Sequence, residues 1–229
     1  MTLDAAGPVA DSIATLTRAM FIGGTLVFIA VMVLLWLAVA RPARPVVARW
    51  WLLGGGVLLP LLLLLPLLFD SVQRAHALTR AAPADALVIG VTARMWWWEL
   101  RYRDPAGGAD IVTANELHLP VGRTVRLSLS SPDVIHSLWV PRLAGKMDLV
   151  PGRRTHLLLS ASDSGVFDGA CAEYCGEQHT RMALRVIASE PARFDAWLQQ
   201  QRLPSREPAT PLARAGRDAF LASGCAVCH

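Results

Sequence analysis

Four side chains of the types that bind metals stand close together in CAEYCGEQHTRM, residues 171–182. They are Cys171, Cys175, His179 and Met182. A disulfide between the cysteines would suit an oxidising compartment, but it would leave the histidine and the methionine unexplained. Zinc accepts cysteine and histidine, whereas a thioether is a poor zinc ligand. Thiolate, imidazole and thioether together favour copper.

The motif leaves open how many copper ions are bound. A mononuclear blue-copper site needs one cysteine, two histidines and a weak axial methionine. Two thiolates can instead bridge two copper ions that share one electron. Such a site calls for a second histidine, and the best candidate is His136 in DVIHSLWVP (133–141).

Two long apolar runs precede this motif. No charged residue occurs from Met20 to Ala40 or from Trp50 to Phe69, and about 20 apolar residues in a helix span the roughly 30 Å core of a bilayer. A signal peptide has a shorter apolar core. Pro60 and Pro66 are better tolerated in a membrane span than in a soluble helix. The sequence predicts a hairpin of two transmembrane helices over residues 18–69, after a polar lead (1–17).

The charges around the hairpin predict its orientation. The connection RPARPVVAR (41–49) carries Arg41, Arg44 and Arg49 and no acid, so it should stay in the cytoplasm. Both termini would then lie on the periplasmic side of a bacterial inner membrane. Basic and acidic residues nearly balance after Phe69, which gives no indication of nucleic-acid binding.

A β-rich domain is predicted over residues 87–190, after a connector (70–86). Five segments have the composition and alternation of strands: ALVIGVTAR (86–94), WWELRYR (97–103), TVRLSLS (124–130), RTHLLLSA (154–161) and MALRVIA (182–188). Short strands separated by Gly/Pro turns suggest an all-β sandwich or barrel. PARFDAWLQQQRL (191–203) predicts a short helix, followed by a linker that extends to residue 213.

Taken together, these motifs resemble subunit 2 of haem–copper cytochrome c oxidases. The family's order of Cys, Glu and Cys, then Gly, His and Met, is present in CAEYCGEQHTRM. Further resemblance lies in DVIHSLWVPRLAGKMDLVPGR (133–153), NELHLPVGR (115–123) and MWWWELRY (95–102), and it covers most of residues 15–190. The resemblance implies a cupredoxin-like Greek-key sandwich behind a transmembrane helical hairpin, and a dinuclear copper centre called CuA.

Functional residues follow from the resemblance by position. Six are implied as copper ligands: His136, Cys171, Cys175, His179 and Met182 through their side chains, and Glu173 through its backbone carbonyl. The Glu173 carboxylate would also help to bind magnesium, shared with the catalytic subunit 1. Trp96 would pass electrons from cytochrome c to the copper pair, although Met95 and Trp97 replace the family's usual glutamine and tyrosine.

The last five residues, CAVCH (225–229), have the form of a c-type haem attachment motif. Cys225 and Cys228 would bond the haem vinyl groups, and His229 would ligate the iron. Gly216 and Phe220 stand where the first helix of a cytochrome c domain usually has a glycine and an aromatic residue. The segment 214–229 thus resembles the start of an α-helical cytochrome c domain that the sequence does not complete, fused as in the caa-type oxidases.

The function that the resemblance implies is that of an electron-input subunit. Electrons would pass from haem c through the copper pair to haem in subunit 1, with subunit 3 as a further partner and membrane lipid around the hairpin. Oxygen would be reduced to water there, coupled to proton translocation. The second helix starts in VVARWWLLGGG (46–56), without the acid that helps to admit protons in many relatives, so protons would need another route.

Other functions are compatible with the same copper motif. A copper-containing nitric oxide reductase can use a similar subunit. A membrane-tethered copper carrier needs exposed, exchangeable ligands and has no use for Trp96, Glu173 or a haem motif. Nitrous oxide reductase holds such a copper pair but is soluble, and the helical hairpin argues against it.

Overall fold

A computed structural model describes residues 4–42, 45–78, 83, 86–104, 107–204 and 206–227. Arg44, Cys228 and His229, which carry predictions made above, lie outside these ranges. The chain divides into two compact units, Met1–Phe194 and Asp195–His229. The predicted class, two apolar helices followed by a β-sandwich, is confirmed in the first unit.

The two N-terminal helices are longer than the apolar runs that predict them. Helix α1 is Pro8–Ala40, and a second continuous helix consists of α2 (Ala48–Trp50), a π-helical stretch (Trp51–Leu58) and α3 (Leu59–Leu78). Both are long and apolar enough to cross a membrane. At 1.5 Å per residue α1 is about 50 Å long, more than the roughly 30 Å bilayer core. Helical structure therefore continues into the lead and the connector that flank the apolar runs.

The start of α1 is fixed against the β-sandwich. Ala10 and Ala14 are buried, and the backbone N–H of Ala6 donates to the carbonyl of Arg142 at 2.8 Å. The second helix is tied to the same segment, because the Arg74 guanidinium donates to the Ser12 carbonyl at 3.2 Å. These contacts hold the hairpin and the sandwich together at one end.

Among the described residues, ten short strands form the sandwich. They are β1 (Leu87–Arg94), β2 (Trp97–Tyr102), β3 (Ile111–Ala114), β4 (Glu116–Pro120), β5 (Val125–Ser130), β6 (His136–Trp139), β7 (Met147–Leu149), β8 (Thr155–Leu159), β9 (Gly165–Cys171) and β10 (Ala183–Ser189). The first sheet has the order β3-β2-β1-β5-β8 and the second β4-β10-β9-β6-β7. The pairs β1–β5 and β10–β4 are parallel, and the other neighbours are antiparallel.

The core lies between the two sheets. Alternate residues of β1, β2 and β5 point inward, and Ile89, Leu100 and Leu127 are fully buried. Leu117 and Val186 close the core from the second sheet. This period of two is what the strand pattern of the sequence predicts.

All five predicted segments contain a strand, and five further strands were not predicted. β3 and β7 have only four and three residues, too few to develop an alternating pattern. β9 contains Gly165 and Gly169, which weaken a strand signal because glycine has no side chain to pack. Neighbouring strands supply the pairing that these segments do not specify by themselves.

Two helices follow the sandwich. Helix α4 (Pro191–Gln201) corresponds to the predicted short helix. Helix α5 (Pro211–Ala222) begins with a Thr210 side chain that accepts the N–H of Ala213 at 3.1 Å, the usual way to satisfy a free donor at a helix start. A short 3₁₀ turn, Cys225–Val227, comes after it.

Candidate metal centre

Three neighbouring strands of the second sheet bring the predicted ligands together at one end of that sheet. β6 begins at His136, β9 ends at Cys171, and Leu138 of β6 pairs with Cys171. Met182 directly precedes β10, and its carbonyl accepts the N–H of Cys171 at 3.0 Å. The loop between β9 and β10 carries Cys175 and His179. Strand pairing thus unites residues that stand far apart in the sequence.

The side-chain donors form one compact cluster. The two cysteine sulfurs are 3.8 Å apart. The Cys171 sulfur is 3.8 Å from Nδ1 of His136 and 3.1 Å from the carbonyl oxygen of Glu173. The Cys175 sulfur is 3.5 Å from Nδ1 of His179 and 3.9 Å from the Met182 sulfur. All six predicted ligands therefore come together around the pair of sulfurs.

The cluster is shielded from solvent. His136 is completely buried, and Cys171, Cys175 and Met182 are each less than a tenth exposed. Burial, together with the neighbouring Cys171, raises the pKa of the Cys175 thiol to about 12. A free thiol at this place keeps its proton at neutral pH, so a bound metal would have to displace it. Thiolate, imidazole and thioether donors with a backbone carbonyl are a donor set that fits copper.

Asp133 fixes the orientation of His136. Nε2 of His136 lies 2.8 Å from the Asp133 carboxylate, which leaves Nδ1 directed at the cysteine sulfurs. Burial acts to raise the pKa of Asp133, but hydrogen bonds from His136, from the backbone N–H groups of Met95 and Val134 and from Ser131 lower it overall. A carboxylate behind a ligating imidazole sets its tautomer. Sequence reasoning missed Asp133, although its place three residues before a candidate ligand was a usable signal.

Trp96 lies directly against the loop that carries Cys175. Its indole N–H donates to the Cys175 carbonyl at 2.9 Å. Gly176 adopts φ of +115°, and a Cβ atom at that position would lie 3.1 Å from the Trp96 ring. Glycine is needed here both for its backbone conformation and for the close approach of the indole. Gly176 follows the second cysteine directly and is part of the family's order, but the sequence alone assigned it no role.

The other two tryptophans of the aromatic run have different environments. Trp98 is fully buried and meets the His136 ring edge-on, with 6.3 Å between ring centres. Trp97 points the other way, and the Arg94 guanidinium lies 5.9 Å from its ring centre. Trp98 is therefore part of the core behind the cluster, and Trp97 lies on the outer face of the first sheet.

The carboxylate of Glu173 is partly exposed and lies beside Lys146. Its side chain is 44% exposed and lies 4.0 Å from the ammonium nitrogen of Lys146. The backbone carbonyl and the carboxylate of this residue thus face different surroundings. Its role in binding magnesium stays a prediction.

The C-terminal cysteine motif is described only in part. Cys225 lies half-buried in the 3₁₀ turn after α5. Haem attachment through Cys225, Cys228 and His229 stays a prediction, because the last two residues are outside the described part.

Known proteins are similar to this chain in sequence. Residues 105–189 match the family described as "Cytochrome C oxidase subunit II, periplasmic domain". Cytochrome c oxidase subunit 2 of Alkalihalophilus pseudofirmus is 38% identical over 145 residues, which cover 63% of this chain and 41% of that protein. The alternative cytochrome c oxidase subunit 2 of Bradyrhizobium diazoefficiens is 34% identical over 146 residues, 52% of this chain and 53% of that protein.

A solved structure was matched over part of the chain. The crystal structure of the periplasmic domain of subunit II of cytochrome oxidase from Bradyrhizobium japonicum is 26% identical, covers 53% of this chain and 97% of that chain, and has a TM-score of 0.49. The chain spans about half, or less, of the length of the curated relatives named above.

Fold and site together define a class: a β-sandwich joined to two membrane-length helices, with a buried cluster of cysteine, histidine and methionine at one edge. Within that class, residues 105–189 match the family of cytochrome c oxidase subunit II periplasmic domains, and curated subunits of that name are similar to this chain in sequence.

Proposed function

We propose that the chain is the electron-input subunit of a haem–copper terminal oxidase and that its cluster holds two copper ions. The observation that carries the proposal is the pair of buried cysteine sulfurs, 3.8 Å apart, with imidazole, thioether and carbonyl donors around both. A single-copper site needs only one thiolate, so the second sulfur argues for two ions. When bound, such a pair takes up and releases one electron that both ions share.

The ligands divide between the two sulfurs in a way that supports two ions. His136 and the Glu173 carbonyl lie beside Cys171, whereas His179 and Met182 lie beside Cys175. Each side thus offers one imidazole and one weaker donor in addition to the two cysteine sulfurs, which would hold both ions. Because most of these donors are buried, water is kept away and the ligands are held in place before and after electron transfer.

Trp96 is proposed as the residue through which electrons reach the cluster. It is partly exposed, and its indole N–H is hydrogen-bonded to the carbonyl of Cys175. This contact gives a short connection from the surface to a ligating residue. The conformation of Gly176 permits the contact. Asp133 accepts the N–H of Met95, the residue before Trp96, at 2.9 Å.

Several finer features belong to the same proposal. Catalytic subunit 1, with subunit 3, would receive the electrons for reduction of oxygen to water coupled to proton translocation. The helical hairpin would lie in the inner membrane with both termini in the periplasm. Glu173 would share magnesium with subunit 1, and Cys225, Cys228 and His229 would carry haem c. The family of the matched segment and the two membrane-length helices support this arrangement.

Replacement of Trp96 tests the proposed electron route and leaves every proposed copper ligand in the sequence. In the purified complex, Trp96→Leu should slow reduction by cytochrome c while leaving two copper ions per chain. Trp97→Leu is the matched control, since it removes a similar ring from the first residue of β2, beside Arg94. Equal rates in wild type and Trp96→Leu would contradict the route, and copper-free wild-type protein would contradict the function itself.

A further inference from the structure

A groove of about 280 Å³ lies on the outer face of the first sheet, lined by residues of β1, β2, β5 and β8 or their ends. The cysteine cluster belongs to the second sheet, so the core of the sandwich separates the two places. Nothing in the proposed electron route uses this groove. A ligand in this groove would therefore bind independently of the proposed electron transfer.

The floor of the groove is made of small side chains. Gly90 pairs with Arg101 on one side and with Ser128 on the other, and the missing side chain leaves space between them. A Cβ atom at Gly90 would meet only ordinary contacts, the nearest at 3.5 Å. The backbone does not require glycine here, and the practical effect of glycine is an open floor. Ser128 and Ser130 add hydroxyl groups to this surface.

Four guanidinium groups surround this floor, and most of their charge is uncompensated. They belong to Arg101, Arg103, Arg126 and Arg154. Arg101 has acidic partners, Glu99 at 3.0 Å and Asp110 at 3.5 Å. Within the described part of the chain, Arg103 and Arg154 have no ion-pair partner.

The contact of Arg126 does not neutralise it either. Its Nη2 lies 2.9 Å from Nε2 of His156, and histidine accepts this hydrogen bond only in its neutral form. Three positive charges thus share one groove without a carboxylate. Like charges this close repel one another, and an anion between them would remove that cost.

We infer that this groove binds a compact anion that carries phosphate groups. The guanidinium fork matches two phosphate oxygens at once, and the serine hydroxyls can donate to a third. Cavities for drug-sized ligands begin near 300 Å³, so a groove of about 280 Å³ suits a diphosphate or a phospholipid headgroup better than a peptide. Both sources share the chemistry, and the experiment distinguishes them.

Calorimetric titration of inorganic diphosphate into the full chain, in nanodiscs of zwitterionic lipid at low salt, tests the inference. Two groove variants are compared with wild type: Arg126→Gln/Arg154→Gln, which removes charge, and Gly90→Val, which fills the floor and keeps every charge. The control is Arg153→Gln/Arg185→Gln, with the same charge change outside the groove. Loss of one charge-assisted contact should weaken binding by about tenfold or more, whereas the control should stay close to wild type.

A second arm replaces part of the lipid with phosphatidylglycerol in vesicles. Groove-dependent association with these vesicles, without heat from diphosphate, would assign the site to a lipid headgroup; heat from diphosphate would assign it to a free phosphate compound. Failure of wild type to bind either probe overturns the inference. So does equal weakening in the control variant, or undiminished binding by Gly90→Val. Copper content and thermal stability, measured on each variant, distinguish these results from a folding defect.

Discussion

The two cysteine motifs of this chain have opposite structural settings. Cys171 and Cys175 are both buried, and strand pairing together with buried neighbours fixes the positions of their sulfur atoms. Cys225 lies half-buried after α5, a helix that buries none of its described residues. The first motif is therefore organised by the fold before any cofactor binds. In the described part of the second motif, no comparable packing positions the sulfur.

The largest expected effect comes from replacing a bridging sulfur. Cys175→Ser should abolish the two-copper centre, because serine offers no soft thiolate to either ion. Copper per chain, measured by elemental analysis, should fall from two to one or none. The proposed attachment of haem through Cys225 and Cys228 should be unaffected. Retention of two copper ions by the serine variant would contradict the ligand assignment.

The reciprocal replacement tests whether the two motifs are separate. Cys225→Ser should leave both copper ions in place. It should disturb the proposed haem attachment, which would be visible as loss of haem-linked peroxidase staining in a denaturing gel. The two variants are matched, because each exchanges one sulfur for one oxygen. Loss of copper in Cys225→Ser would show that the motifs depend on each other.

A smaller effect on copper binding is expected from replacing Asp133, which contacts the proposed ligand His136. Asp133→Asn keeps the size of the side chain but removes the carboxylate that orients His136, and losses of this type cost roughly 10–100-fold in metal affinity. Competition for copper with a chelator measures the change. Asp163→Asn, in an exposed turn, is the control. Equal affinities in the two variants would mean that Asp133 has no positioning role.

Replacement of Gly176, which lies against the Trp96 indole, should lower the free energy of unfolding by a moderate amount. Gly176→Ala places a side chain at φ of +115° and against Trp96, and strain of this kind costs about 1–3 kcal/mol. Thermal unfolding of the copper-free protein should show the loss. Gly107→Ala has an open surrounding and should lose less, since only backbone strain remains. A reversed order would argue against close packing of Trp96 on the loop.

The smallest effect concerns pH and lies away from both motifs. Burial, partly opposed by Glu116, lowers the pKa of His118 below 6.5. As the pH falls below 6.5, His118 is therefore protonated more readily in the unfolded chain than in the folded one. The free energy of unfolding keeps its full contribution from this residue above pH 6.5 and decreases as the pH falls below it. His118→Gln should flatten that part of the profile in urea titrations at pH 7.5 and 5.5. An unchanged slope would contradict the burial argument.

The ligand cluster was the part that the sequence predicted best. Cys171, Cys175, His179 and Met182 lie within twelve residues, and their types alone favour copper. His136 was predicted as the second histidine, and the pairing of β6 with β9 brings it to the other donors. Asp133 and Gly176 were missed, because their roles depend on an imidazole orientation and on a ring contact. Neither has a signature in composition or periodicity.

The fold was predictable where patterns are long. Two charge-free runs and five alternating segments indicated the hairpin and the β class, whereas β3 and β7 are too short to be recognised. The arginine groove had no signal at all. Arg101 and Arg154 are distant in sequence, and only the order of β2, β1, β5 and β8 in the first sheet brings them to one surface.

Electron paramagnetic resonance of the purified, oxidised protein tests the central claim most directly. The account predicts a signal from one electron shared equally by two copper nuclei, together with two copper ions per chain. It also predicts that Cys175→Ser loses this signal, whereas Trp97→Leu keeps it. A signal from a single copper nucleus in wild type, or copper that a mild chelator removes at once, would contradict the account.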